Sequence, residues 1–172
     1  ARTHHTMISH LWVRHDREPR RSQPLTVIFT APPGNPEAAP KDLDFHMTSA
    51  RVLDVGNCDP DHGMISAMLR QHFDVVIDRV MFVHEAIERM RANTYAIVLL
   101  NRLIFADDSP GDALLKEAKS NPQLAATPIM MISNFAEAQA SAVALGAVPG
   151  FGKAHVTAPQ TRELLSQYLP TK

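Results

Sequence analysis

Five short apolar runs, set a helix length apart, constrain this chain more than any other feature. Residues 52–55 read VLDV, 74–80 DVVIDRV, 95–101 YAIVLLN, 128–133 PIMMIS and 146–151 GAVPGF. Runs that are apolar along most of their length, rather than at every second position, belong to strands covered on both faces. The stretches between them are long enough for helices, as parallel strands require. With right-handed crossovers the arrangement is an α/β fold, a doubly wound five-stranded parallel sheet. The carboxyl ends of its strands form the edge where function is expected.

The intervening segments carry helix signals. Asp59-Pro60 opens the first with an acid near the cap and proline in the first turn. Met64, Ile65, Met68 and Leu69 mark its apolar face, and Val83, Ala86, Ile87 and Met90 mark the second helix. The third begins near Ser109-Pro110 with Asp112 as a capping acid, buries Leu114, Leu115 and Ala118, and stops at Asn121-Pro122. Asn134 with Glu137 repeats the capping signal for the fourth, which Gly146 ends. Leu164, Leu165, Tyr168 and Leu169 give the last helix its face.

Residues 1–49 differ in kind. Pro19, Pro24, Pro32, Pro33, Pro36 and Pro40 interrupt every periodicity, and His4, His5, His10, His15 and His46 add polarity. Such a stretch reads as a disordered extension preceding a domain at 50–172. Met47 lies just ahead of the first strand, where a compact domain would begin, so residues 1–46 are expected to be an upstream read or part of a longer protein. A net charge of −1 offers no field for nucleic acid or an acidic membrane surface. The lone Cys58 forms neither an internal disulfide nor a cysteine-based zinc site. No apolar run approaches the roughly 20 residues of a membrane span, and the expected location is cytoplasmic.

Three strand ends carry polar groups. Asn101 closes the third strand, Ser133 the fourth, and Lys153 follows the fifth. A hydroxyl and an ammonium on neighbouring strand ends suit an oxyanion such as a phosphoryl group, yet the residue placed to accept one is an amide. In this order of elements and strand ends, residues 51–169 resemble the receiver domain of bacterial two-component response regulators. The resemblance implies the flavodoxin-like strand order 2-1-3-4-5, Mg²⁺ held by an acidic pair after the first strand, and a phosphoacceptor aspartate after the third. Here Gly56 and Asn57 match the acidic pair and Asn101 the acceptor. Ser133 and Lys153 match the hydroxyl and the lysine that hold the phosphoryl group. Gly150 stands at the position of the aromatic switch residue and Ala154 where the family usually has proline. The loop RLIFADDSPG after Asn101 is about two residues longer than the family pattern.

These departures agree with one another. An amide is a poor nucleophile because its lone pair is delocalised. Magnesium wants hard oxygen ligands, usually including carboxylates, so the Mg²⁺ site is expected to be lost and no cofactor to bind. Removing clustered carboxylates also relieves repulsion of up to about 4 kcal/mol per pair at close range, which favours the fold. The sequence therefore reads as a pseudo-receiver, a non-enzymatic module of phosphorelay type. It is expected to dock to a protein partner (a histidine kinase, a phosphotransfer protein or an output protein) or to a second copy of itself. The alternative is a small anion or metabolite bound in the vacated pocket. Asp54, a carboxylate inside a central strand, needs a partner, for which Lys153 or Arg102 are the candidates, or else access to solvent. Lys153 itself is expected to bond Asn101 or Asn57, or to stand as a plain charge. Asp107 and Asp108 read as helix-entry acids rather than a relocated metal pair, and Cys58 as a buried structural thiol.

Overall fold

The computed structural model describes residues 49–172, and the expectations for the chain before Ser49 lie outside them. Strands β1 (Ala50–Val55), β2 (Val75–Val80), β3 (Ile97–Asn101), β4 (Ile129–Ile132) and β5 (Val148–Phe151) form one parallel sheet in the order β2-β1-β3-β4-β5. Helices α1 (Asp59–His72), α2 (Val83–Ala92), α3 (Asp112–Ser120), α4 (Ala136–Ala144) and α5 (Pro159–Leu165) connect and follow them. The expected strand order and fold class are those observed.

Successive strand residues point to opposite faces, and each face has its own core. Val52, Ile97, Leu99, Met130 and Ile132 pack with Ile65, Met68 and Leu69 of α1 and Leu165 of α5. Leu53, Val55, Val98, Leu100, Ile129 and Met131 pack with Ala86 and Ile87 of α2, Leu114 and Leu115 of α3 and Ala142 of α4. Both faces are covered, which is why β4 is apolar throughout and β3 is apolar up to Asn101. Each fully buried leucine or isoleucine contributes about 1.5–3 kcal/mol to holding the layers together.

Several local expectations are corrected. Met64 is 48% exposed, so the buried stripe of α1 is narrower than its periodicity suggests. Asp112 makes no capping bond at α3, whose N-cap is Gly111. Asn134 does not cap α4; its Oδ1 accepts the Ala154 N–H at 3.0 Å and ties the β4 exit to the β5 exit. Helix α5 ends at Leu165, and Leu169 is buried from the turns that follow.

Edge strand β5 is bulged. Val148 pairs with Met130 but Phe151 with Ile132, so β5 spends one residue more than β4 over the same span. Pro149, which lacks a backbone donor, sits at this edge irregularity. At Gly150 a Cβ would lie 2.0 Å from the Met131 carbonyl oxygen, so the close approach of the two backbones admits only glycine.

Candidate functional site

The β1–α1 turn determines the site. Asp54, near the end of β1, is fully buried, and its carboxylate accepts hydrogen bonds from Asn57 Nδ2 at 2.6 Å and pairs with His62 Nδ1 at 2.5 Å. Its partners are thus Asn57 and His62, not Lys153 or Arg102. A carboxylate in a central strand would be costly alone, and these two contacts offset that cost. Asn57 is itself fully buried, with its Oδ1 unpartnered. From β2, Arg79 donates to the Asn57 carbonyl at 2.7 Å and pairs with Asp59 at 2.8 Å, clamping the turn from the sheet edge.

Gly56 takes a left-handed backbone, φ 68°, and its carbonyl accepts two hydrogen bonds. One comes from Asn101 Nδ2 at 2.9 Å and the other from the Phe105 N–H at 3.0 Å. The long β3–α3 loop therefore folds back over the end of β1. Ile104, fully buried, is the residue it inserts. A Cβ on Gly56 would stand 2.6 Å from Ile104 Cδ1 and 3.0 Å from Ile104 Cα. The position matching an acidic residue is thus filled from the facing loop.

Of the residues singled out by the sequence, Asn101, Ser133 and Lys153 line one hollow of about 220 Å³, together with Arg102, Leu103, Phe105, Asp108, Asn134 and Phe135. Lys153 reaches neither asparagine; its Nζ pairs with Asp61 Oδ2 at 2.5 Å, a partner the sequence did not suggest. Ser133 is buried, and its Oγ accepts the Phe135 N–H at 3.2 Å. Gly56 and Asn57 are not among the residues that line this hollow, and Gly150 lines a separate groove with Phe151, His155 and Leu164. Cys58 is half-buried at the head of α1, more open than expected. Asp107 accepts the Ser109 N–H, and Asp108 adopts φ 56° within the same loop turn. Asp61, His62 and Ile104 are the residues that sequence reasoning missed. The signal for Ile104 was available, since one apolar run, Leu103 to Ala106, interrupts an otherwise polar loop. Nothing in the chain announces the Asp61–Lys153 pair, 92 residues apart.

Of the clearly perturbed titrating groups, Asp107 lies in the β3–α3 loop, where its hydrogen bonds with Ser109 hold it below the usual carboxylate range. Lys119 lies on α3, and Arg51, Asp78 and Tyr95 cluster at the other end of the sheet. Tyr95 donates to Asp78 at 2.6 Å and Arg51 donates to the same oxygen at 2.5 Å. Burial, reinforced by the hydrogen bond to Asp78, pushes the Tyr95 hydroxyl up to about 12. Burial acts to raise Asp78, but the hydrogen bonds from Tyr95 and Arg51 outweigh it and hold the carboxyl below its usual range.

No protein-family model and no curated protein matches the sequence. Solved structures do match by fold. A response regulator of Chloroflexus aurantiacus superposes with a TM-score of 0.61 at 20% identity, covering 69% of this chain and 95% of that one. The signal receiver domain of a DNA-binding response regulator from Colwellia psychrerythraea gives 0.60 at 18% identity, over 69% and 96% of the two chains. A chemotaxis response regulator of Vibrio cholerae gives 0.55 at 19%, over 67% and 98%. The described domain has the receiver fold of two-component response regulators.

Proposed function

We propose that this receiver-fold domain is a signalling module of two-component type that accepts no phosphoryl group and acts by docking to another protein. The observation that carries the reading is the closed end of β1, where Ile104 occupies the space an acidic side chain at position 56 would need. Asn101, at the end of β3, adds an amide where the acceptor carboxylate belongs, and its Nδ2 is committed to the Gly56 carbonyl.

The donor set does not fit Mg²⁺. Asp54 is engaged by Asn57 and His62, Asp61 by Lys153, and Asp59 by Arg79, so all three carboxylates of β1 and the start of α1 already have protein partners. Among the described residues no three His, Cys, Asp or Glu side chains converge as metal ligands. Without the metal and a carboxylate nucleophile, phosphoryl transfer loses both its charge clamp and its acceptor. The same engagement weighs against an anion in the hollow, because Lys153 is neutralised by Asp61 and Ser133 Oγ is occupied by a backbone donor. Docking to a kinase, a phosphotransfer protein or an output protein needs none of these groups. No helix among the described residues is long and apolar enough to cross a membrane.

A Mg²⁺ titration followed by amide NMR tests the metal part of this reading. The resonances of Gly56, Asn57 and Asn101 are expected to stay in place. Saturable shifts at these three residues would contradict it.

A further inference from the structure

The β3–α3 loop displays apolar side chains that the core does not require. It is a built turn: Ile104 N–H donates to the Ser109 carbonyl, Asp108 N–H to that of Ile104 and Gly111 N–H to that of Arg102, and Leu103 bridges Pro110. Ile104 points inward while its neighbours Leu103 and Phe105 are exposed. Across from them Phe135, at the head of α4, is 53% exposed, with the Arg102 guanidinium 4.8 Å from its ring centroid. Among the described residues only six large apolar side chains are exposed, and three of them gather here. Exposed apolar side chains gathered on one part of a surface are a common feature of interaction sites.

Two adjoining hollows share Arg102, Leu103 and Phe135. One, of about 490 Å³, is completed by Pro110, Asp112, Glu137, Ala138 and Ser141. The other, described above, reaches Phe105, Asp108 and Lys153. Asp108, Asp112 and Glu137 thus line the hollows beside Leu103, Phe105 and Phe135, and none has an ion-pair partner among the described residues. Lys153 is already paired with Asp61, which leaves Arg102 as the one cation against three carboxylates. Asp112 and Glu137 also favour the first turns of α3 and α4. That role does not call for exposed aromatic rings between them.

We infer that this groove docks a segment of a partner protein that presents apolar side chains flanked by lysine or arginine. The inference rests on the docking reading above and gives it a place and a partner chemistry. Aromatic side chains supply the binding energy in such sites, and the acidic rim selects and steers a cationic segment. A second copy offering the same face would set carboxylate against carboxylate, so self-association is disfavoured here.

The test is an amide NMR titration of the full 172-residue chain with a short amphipathic leucine–lysine helix and with its leucine–glutamate counterpart. The lysine peptide is expected to shift Leu103, Phe105, Phe135 and Ser141, more weakly as salt rises, and the glutamate peptide to leave them in place. Phe135→Ser, an exposed change that spares the core, should weaken binding about tenfold. Combined Asp112→Asn and Glu137→Gln should weaken it several-fold and flatten its salt dependence. Shifts confined to the α4–β5–α5 face, equal binding of the glutamate peptide, no shifts at all, or self-association through these residues would each overturn the groove. These results leave the docking reading standing, whereas a phosphoryl adduct on the protein would remove that reading itself.

Discussion

Gly56 is the residue on which most of the account turns. Its left-handed backbone and its contact with Ile104 exclude a side chain for two separate reasons. Gly56→Asp, which restores the type of residue a phosphorylatable receiver carries, is expected to cost about 2–3 kcal/mol, from backbone strain and overpacking together. Urea denaturation measures it, and a variant as stable as the parent would contradict the geometry. Sequence reasoning found Asn101, Ser133 and Lys153 because strand ends can be located from apolar runs, and Gly56 because the receiver resemblance matches it to an acidic position. It did not find their partners. Asp54 lies only eight residues from His62, but a turn and the start of a helix intervene, and no periodicity spans that change of element.

At the scale of elements, the β3–α3 loop is the feature that the sequence half revealed. Its extra length was legible in RLIFADDSPG, but its course was not, because loops follow contacts rather than a repeat. The structure spends that length on folding Ile104 over the end of β1. Ile104→Ala is expected to cost about 2–4 kcal/mol and to speed hydrogen exchange of the Phe105 and Asp108 amides, whose acceptors lie in this turn and in Gly56. Exchange unchanged at both amides would mean that the loop is held by something other than this plug. The five strands were legible because burial on both faces leaves an unmistakable apolar signature, whereas their order came only from the resemblance to receiver domains. Helix capping was less so, since the expected Asp112 and Asn134 caps yield to Gly111 and to the Asn134–Ala154 tie.

For the molecule as a whole, the Arg51–Asp78–Tyr95 cluster links β1 and β2 to the approach of β3 and gives stability a pH dependence. Tyr95 titrates near 10 when unfolded and near 12 when folded. Its contribution is therefore fully present below pH 10 and is lost as pH rises through about 12. The thermal midpoint should fall over that window, and less steeply in Tyr95→Phe; identical slopes in the two proteins would contradict the assignment. At this scale the fold was legible before the structure, and the reason the site is closed was not. That reason is a loop inserted into a turn, joined by one buried isoleucine. The most direct measurement of the central claim is the intact mass of the full chain after incubation with acetyl phosphate and Mg²⁺, beside a competent receiver treated identically. An unchanged mass is the predicted result. A phosphoryl adduct lost on mild base would reveal an acyl phosphate on an aspartate and contradict the account.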